Sequence, residues 1–524
     1  MVGQQNVNGE RAATDATTEA SSPGGASSTA GAWIGIEWVR AAAAVAVVTL
    51  HAGVPYATHR MPGLPWSVWD QGSVWVDGLF WSIELFIMPL FLWMAGFFAA
   101  ETCRRGGPWE LVRRRSRRLL RPLAFGSAVL LPAIYYVYMC GWLADGKIAP
   151  RSIRSLKFPD GIDADLWGTG HLWFLGYVLS YVILAALMVA VGSRRLTDGR
   201  WFRARRWLGA GRWLGAGKVH EGTGEVHEKA GPGPGAEAGP AWQTRAITPP
   251  RTGLLWWLLG LYAFGVVVLA FRPQVVWGFQ HAWLPVASKW LYSGTFFAGG
   301  WLMAGVDRGA FLLDRRRTLW LGRTRWFGVA VLVAVAGVSL GRWHLDAAGG
   351  ASGGGGGGAA GWLLAGLTAA AAWGLTLTIV GQAQRRLTSL PPWVGYLSRS
   401  SLWVYLAHPP VVALAHVGLK YGVPGWPALP KMAFAAAVGW GFSLLTYEAL
   451  VRRSAFGRWL QASGEACRSV RPSLARPAVA GGLAVYPGTA TVVGEESSHR
   501  DGAGVSPGPA EVGPRGSRSR RQAA

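Results

Sequence analysis

Long apolar runs alternate with short polar connections along most of the chain. Runs such as 254–271, 328–340 and 432–450 are apolar on nearly all sides and carry no polar stripe. A helix needs about 20 such residues to cross the hydrocarbon core of a bilayer, where only helices and closed barrels satisfy the backbone. The strict alternation of barrel strands is missing from these runs. The pattern therefore predicts an all-α fold, a polytopic membrane helical bundle.

The hydrophobic pattern predicts about ten transmembrane helices, and an even number places both termini on the same side of the membrane. The predicted spans cover residues 36–56, 78–100, 122–142, 171–192, 253–271, 284–306, 326–341, 361–381, 401–419 and 431–450.

Composition agrees with a membrane protein. Hydrophobic residues make up 51% of the 524 residues and charged residues only 15%, against about 25% in a soluble domain. The net charge of +24 is compatible with a nucleic-acid partner. However, most arginines lie in short loops beside apolar runs, where basic residues set topology. We therefore expect membrane lipid, and no nucleic acid, among the partners.

The distribution of basic residues orients the bundle. The loops 101–121, 193–252, 307–325 and 382–400 contain 28 Lys and Arg residues, whereas the loops on the opposite side contain at most 10. Because the richer set stays in the cytoplasm, we expect both termini to be cytoplasmic in a cell membrane of bacterial type.

Three stretches differ in composition from the predicted membrane domain at 33–460. Residues 1–32 are rich in Ser, Thr, Ala and Gly, and residues 193–252 form a low-complexity cytoplasmic linker. The basic tail at 461–524 is rich in Pro, Gly and Ser. Such compositions bury little apolar surface, so we expect the leader and the tail to be disordered.

Three ionisable side chains interrupt the first apolar span, EWVRAAAAVAVVTLHAG at 37–53. Arg40 and His51 are eleven residues apart, which is three helical turns plus about 20°, so both share one face about 16 Å apart along the axis. Glu37 precedes Arg40 by one turn, the spacing at which opposite charges meet. The face predicts a Glu–Arg pair at the cytoplasmic end and a histidine near mid-membrane.

Two interpretations of this face are open. Arg40 is equally explained as a topogenic charge that reaches the interface, and His51 as a hydrogen-bonded internal residue. However, intramembrane ionisable groups are costly and usually line a functional cavity. Neutral imidazole is also well suited to accept a proton near neutral pH. We therefore interpret His51 as a candidate buried base.

Six motifs in order resemble the acyltransferase 3 family of membrane acyltransferases. The first is the Arg–x10–His spacing, followed by FIMPLFLWMAGFF (86–98) and RRLLRP (117–122). The others are GHLWFLGYVL (170–179), YLSRSSLWVYLAHPP (396–410) and YEALVRRS (447–454). The HLWFL and MPLF forms look most like the branch that succinylates periplasmic glucans. One departure is Ala95, where the family commonly has serine.

The resemblance implies an enzyme that moves an acetyl or succinyl group from cytoplasmic acyl-CoA to a hydroxyl of an extracytoplasmic glycan or related polyol. His51 would take the proton of the hydroxyl, with or without an acyl-histidine intermediate. Arg40 would stabilise developing charge or orient the donor, and Glu37 would hold Arg40.

The resemblance also assigns the donor site. Arg118 and Arg121 fall on the family's Arg-x-x-Arg motif, and Arg binds phosphate through paired hydrogen bonds. We expect these two residues to bind acyl-CoA, although a purely topogenic role for the arginine cluster is the simpler alternative.

Four further residues are candidates for acceptor binding. Asp77 and Glu84 share a helical face and could bind an acceptor or form a salt bridge. His171 lies at the outer end of the fourth span, where an interfacial role is favoured. His408 precedes Pro409 and Pro410, which are expected to break the helix, leaving either a kink or free carbonyls that line a cavity. Spacing for a metal site is absent, so we expect no metal cofactor.

Two other classes of function compete with this interpretation. A secondary transporter or flippase for a polar envelope precursor would also bury ionisable groups and break helices, but paired internal repeats typical of transporters are not evident. A non-catalytic membrane scaffold would leave His51 unexplained.

Overall fold

The computed structural model describes residues 34–159, 161–162, 165–197, 253–306, 323–347 and 358–461. The predicted disordered leader, most of the linker, nearly all of the tail and all but one residue of the glycine run at 353–358 lie outside these residues.

Helices account for most of the described chain, and no strand occurs within it. In chain order they are α1 (Ile34–Gly53), α2 (Val74–Phe125), α3 (Leu131–Ala144), α4 (Pro150–Ser155), α5 (Trp173–Thr197), α6 (Leu254–Phe271), α7 (Ala287–Val306), α8 (Thr324–Ala347), α9 (Ala359–Arg386), α10 (Pro392–Gly422), α11 (Ala428–Thr446) and α12 (Ala455–Gln461). The predicted all-α class is confirmed.

Eight helical stretches in the described residues are long and apolar enough to cross a membrane, where the sequence predicts ten spans. The difference has two sources. The second and third predicted spans belong to one helical stretch, Val74–Ala144, and α7 is helical but is not among the eight. Each predicted span nevertheless coincides with a helix, so the chain is a polytopic helical membrane protein.

The arginine-rich connection at 101–121, expected to be a loop, is helical and belongs to α2. Glu110 pairs with Arg113 at 2.8 Å and with Arg114. These i,i+3 and i,i+4 pairs favour helix. Two helical parts of α2 meet at a kink at Gly107, whose φ of 79° and ψ of 177° are not helical and are readily adopted only by glycine.

Close packing of α2 on α7 depends on two glycines. A Cβ added to Gly96 would lie 2.0 Å from the carbonyl oxygen of Phe297, and one added to Gly300 would lie 2.0 Å from that of Trp93. Small residues at such crossings let helix backbones approach inside a membrane. Gly96 and Gly300 therefore allow α7 to pack closely against α2, the helix that follows α1.

Helix α10 is continuous through Pro409 and Pro410, so the predicted break at this double proline is wrong. Two prolines remove the helical hydrogen bonds to the carbonyls of Tyr405 and Leu406, four residues earlier. Neighbouring polar groups re-satisfy such carbonyls in membrane helices.

Buried ion pairs fasten the segment between α1 and α2 to other parts of the bundle. Lys431, which is 1% exposed, donates to Asp70 at 2.8 Å and to the carbonyl of Pro424 at 3.2 Å. Asp70 also donates its backbone N–H to the carbonyl of Pro55 at 3.1 Å. The connection is therefore anchored to α11 and to the turn that directly follows α1, close to the end of α1 where His51 lies.

Candidate active site

His51 lies in the last turn of α1. Helix α1 ends at Gly53, and a buried 3-10 turn, Val54–Tyr56, follows. Nδ1 of His51 is 2.9 Å from the carbonyl oxygen of Val47. Since a carbonyl only accepts, Nδ1 carries the proton and Nε2 keeps a lone pair. Nothing in the described chain hydrogen-bonds this Nε2.

A small cavity lies against the imidazole of His51. Its walls come from several elements, namely α1, the connection 57–73, α3, the 3-10 turn Gly170–Leu172, the connection 272–286 and α10. The polar and aromatic side chains that line it are His51, Trp66, Tyr135, Tyr138, His171, Phe279 and His281. The cavity therefore combines the available Nε2 of His51, and ring nitrogens of His171 and His281 that are unpartnered within the described residues, with an aromatic wall.

Two further histidines surround His51. The ring centroids of His51 and His408 are 4.8 Å apart. His408 is fully buried, and its Nδ1 donates to the carbonyl of Val404 at 2.7 Å, while its Nε2 has no partner in the described chain. His171 lines the same cavity, and the hydroxyl of Tyr405 donates to its carbonyl. The structure thus brings together three histidines from three helical segments.

The connection 272–286 supplies a fourth imidazole. Nε2 of His281 donates to the carbonyl of Asp165 at 2.9 Å, so Nδ1 is the unprotonated nitrogen. Burial lowers the pKa of His281, and the hydrogen bond to Asp165 opposes this effect only partly. His281 is therefore neutral at physiological pH, and the cavity wall carries no added positive charge there.

Glu37, Arg40 and Ser398 form a polar cluster at the opposite end of α1. Arg40 pairs with Glu37 at 3.2 Å and donates from Nη2 to the carbonyl of Ser398 at 3.3 Å. The hydroxyl of Ser398, which is buried, donates to the carboxylate of Glu37. The cluster orients the guanidinium and ties α1 to α10. The predicted Glu37–Arg40 pair is present.

Arginines of α2 lie near this cluster. The charges of Arg115 and Arg118 are close enough to Arg40 to repel it. Arg115 donates to Thr102 at 3.4 Å, and neither Arg115 nor Arg118 pairs with a carboxylate in the described chain. Three guanidiniums near enough to repel one another favour an anion nearby.

Comparison with known proteins decides the class of this site. The Acyl_transf_3 family, described as an acyltransferase domain, matches residues 33–448, which is most of the chain. The chain belongs to the Acyl_transf_3 family. Neither a curated protein nor a solved structure matches it in the same comparisons.

The protein is therefore a membrane acyltransferase. The matched region runs from the start of α1 to the π-helical turn Tyr447–Arg452 after α11 and includes His51, Arg40 and the cavity.

Asp77 of the acyltransferase is buried and fully paired. It accepts from Nε of Arg342 at 2.9 Å, and from the backbone N–H and ring Nδ1 of His59 at 2.8 and 2.9 Å. Asp77 is 0% exposed, so of the two roles the sequence left open, the structure displays the salt bridge. The pairing joins α2, α8 and the connection 57–73.

Glu84 does not line the cavity, and its charge interacts with Lys289 of α7. Lys289 is 6% exposed, donates to the carbonyl of Gln280 at 2.9 Å and lies 3.7 Å from the ring centroid of Trp173. Because Gln280 and Trp173 adjoin cavity residues, Lys289 supports two walls of the site.

Arg121, the second arginine of the predicted donor motif, contacts α12. Its Nη1 donates to the carbonyl of Trp459 at 2.8 Å, and its guanidinium lies over the Trp459 ring. Arg121 thus has a contact that explains it without a ligand, whereas Arg118 has none of this kind. The role of Arg121 in donor binding stays a prediction.

Several site residues of the acyltransferase escaped sequence analysis. Trp66 and His281 belong to connections without periodicity, and their partners are far away along the chain. His416 and Ser398 lie on α10, where a polar residue in an apolar helix was a signal that could have identified them. In the described residues, no group of three or more His, Cys, Asp or Glu side chains is placed to hold a metal ion.

Proposed function

We propose that this acyltransferase moves an acetyl or succinyl group from cytoplasmic acyl-CoA to a hydroxyl of an extracytoplasmic glycan or related polyol in the cell membrane. The observation that supports this proposal most strongly is the state of His51. Its Nδ1 proton is held by Val47 and its Nε2 is available beside a cavity, which is what a general base for a hydroxyl requires.

The chemistry balances with His51 as the base. The acceptor hydroxyl loses its proton to Nε2 of His51 as its oxygen attacks the thioester carbonyl. The new carbon–oxygen bond forms, the carbon–sulfur bond breaks, and the proton passes from His51 to the departing CoA thiolate. Val47 keeps the ring in one tautomer throughout, because its carbonyl cannot release Nδ1 without leaving a buried donor unpaired.

The donor proposal rests on Arg40, Arg115 and Arg118. Coenzyme A carries several phosphates, and guanidiniums bind phosphate by paired, charge-assisted hydrogen bonds. Their mutual repulsion would be relieved by such an anion. Glu37 and Ser398 hold Arg40 in place and leave the two α2 arginines to complete the site.

The acceptor proposal rests on the elements that line the cavity. Trp66, Leu166, Phe279 and His281 all belong to connections that the basic-residue distribution predicts to be extracytoplasmic. Arg40 is about 16 Å from His51 along α1. An extended acyl-CoA would therefore place its phosphates at the arginine cluster and its acyl group near His51.

Mass spectrometry of envelope glycans and lipids tests the proposal. Cells that produce the protein should contain a glycan or polyol carrying one additional acetyl or succinyl group, and cells without it should lack that species. Feeding isotope-labelled acetate or succinate identifies which acyl group moves. Identical envelope spectra with and without the protein would contradict the proposal.

A further inference from the structure

His416 of α10 is 1% exposed, and both of its ring nitrogens are hydrogen-bonded. Nδ1 accepts from the indole N–H of Trp66 at 3.0 Å, and Nε2 lies 3.1 Å from the carbonyl oxygen of Ala52. Since the indole only donates and the carbonyl only accepts, the ring is neutral with its proton on Nε2. A ring held in this way cannot itself accept a proton from a substrate without losing one of these bonds.

Both partners of His416 adjoin the proposed base. Ala52 is the residue after His51, so the bond to its carbonyl fixes the last turn of α1. Trp66 lines the cavity, with its ring centroid 6.1 Å from that of His51. One imidazole on α10 thus connects the backbone that carries His51 to the aromatic wall that faces it.

The segment around Trp66 is fastened on two more helices. The hydroxyl of Ser67 donates to the carbonyl of Ala413 on α10 at 2.9 Å, and the indole of Trp142 on α3 donates to the carbonyl of Trp66 at 2.9 Å. A Cβ added to Gly141 would lie 2.2 Å from the carbonyl oxygen of Ser67. Trp66 and Ser67 therefore form a fixed strap, and His416 is the contact that links this strap to α1.

We propose that His416 is a positioning residue for acyl transfer, which sets the distance between His51 and the Trp66 wall of the acceptor cavity. This inference rests on the proposed role of His51. Positional errors of about 1 Å reduce catalysis by roughly 100-fold, so the two hydrogen bonds of His416 govern rate although the ring touches no reacting atom.

Substitutions at His416 and Trp66 distinguish the effect of losing the two hydrogen bonds from the effect of losing the volume of the ring. His416→Gln provides an amide oxygen that accepts from Trp66 and an amide N–H that donates to Ala52, so it should act like the parent. His416→Ala removes both bonds. Trp66→Phe removes only the indole donor and keeps an aromatic wall, and it remains informative if His416→Ala is not recovered.

The rate at which diethyl pyrocarbonate modifies His51, measured by peptide mass spectrometry on purified protein in nanodiscs, reports its position without any substrate. His416→Ala should change this rate about tenfold, as expected for the loss of two buried hydrogen bonds. Trp66→Phe should change it less, and His416→Gln should keep the parent rate. Thr378→Val, which removes a buried 2.6 Å bond to the carbonyl of Gly374 on α9, is the matched control and should leave the rate unchanged.

Acylation in cells provides the second readout. His416→Ala should reduce the acylated envelope species by at least about tenfold, and His416→Gln should restore it. A parent modification rate in His416→Ala, or in Trp66→Phe if His416→Ala is not recovered, would overturn the inference, as would a His416→Gln variant that behaves like His416→Ala. If His51→Gln stays active, the proposed function fails, and the modification rates still decide the role of His416.

Discussion

The imidazole rings of His51 and His408 lie edge to face, with centroids 4.8 Å apart and planes at 76°. Each ring donates its Nδ1 proton to a carbonyl four residues earlier, of Val47 and Val404 respectively. Each therefore keeps Nε2 as its only proton acceptor. Two neutral imidazoles in contact can take up one added proton, which is what an acceptor hydroxyl releases during acyl transfer.

This relationship predicts that acyl transfer tolerates a neutral substitution at position 408 better than a charged one. His408→Asn keeps a polar group of similar reach and should reduce acyl transfer by about tenfold, the loss of one buried contact. His408→Lys should abolish transfer, because a fixed positive charge beside His51 opposes its protonation. The measurement is envelope acylation, with membrane insertion checked by immunoblot. Activity of His408→Lys equal to that of His408→Asn would show that His408 does not sense the charge on His51.

Donor binding should depend on the arginines that lie together. Arg40→Lys and Arg118→Lys keep the charge needed for topology and lose the paired donor geometry of guanidinium. Each should weaken acyl-CoA affinity by about tenfold, the value of one charge-assisted hydrogen bond. Arg113→Lys and Arg114→Lys are matched controls, because these side chains are already paired with Glu110. Affinity is measured by calorimetry in nanodiscs.

Substitution of Arg121 tests whether the sequence motif or the observed contacts determine the donor site. If the sequence motif determines the donor site, Arg121→Lys weakens binding as much as Arg118→Lys. If the contacts determine it, Arg121→Lys affects mainly the packing of α12 through Trp459 and has little effect on affinity. Parent-like affinity in all of these variants would place the donor site elsewhere.

Asp77 should govern stability rather than turnover. Asp77→Asn leaves the guanidinium of Arg342 without its carboxylate, and breaking a buried pair costs about 3–5 kcal/mol. We expect a clearly lower thermal unfolding midpoint in detergent, with activity of the folded fraction close to that of the parent. Glu448→Gln, in an exposed pair with Arg452, is the control and should leave the midpoint nearly unchanged. A stable but inactive Asp77→Asn would instead support a direct role in acceptor binding.

Topology is tested by cysteines placed at two exposed positions. In a variant without its native cysteines, Gln71→Cys should react with a membrane-impermeant maleimide added to intact cells. Thr388→Cys should react only after permeabilisation, because the connection that contains it belongs to the basic set of loops. The reverse pattern would invert the bundle and the direction of acyl transfer.

Helix positions were accessible from the sequence because the apolar runs themselves determine them. The Arg40–His51 spacing also sufficed to predict one helical face, and α1 is continuous over both residues. The predicted loop at 101–121 and the predicted break at Pro409 failed for local reasons. Glu–Arg pairs stabilise the first as helix, and in the second α10 continues through the prolines although each removes one helical hydrogen bond.

The cavity could not be predicted, because its walls come from contacts between distant parts of the chain. Trp66 meets His416 across 350 positions, and His281 meets Asp165 across 116. No periodic pattern encodes such contacts. The sequence identified the base candidate and its helix, and tertiary packing determined which aromatic and histidine side chains surround it.

Envelope acylation by the His51→Gln variant tests the central claim most directly. Glutamine preserves a hydrogen-bonding side chain of similar length but cannot accept a proton at neutral pH. With insertion and expression equal to the parent, His51→Gln and His51→Ala should both lack the acylated species seen by mass spectrometry in cells producing the parent. An acylated product in His51→Gln at the parent level would contradict the account and assign His51 a structural role.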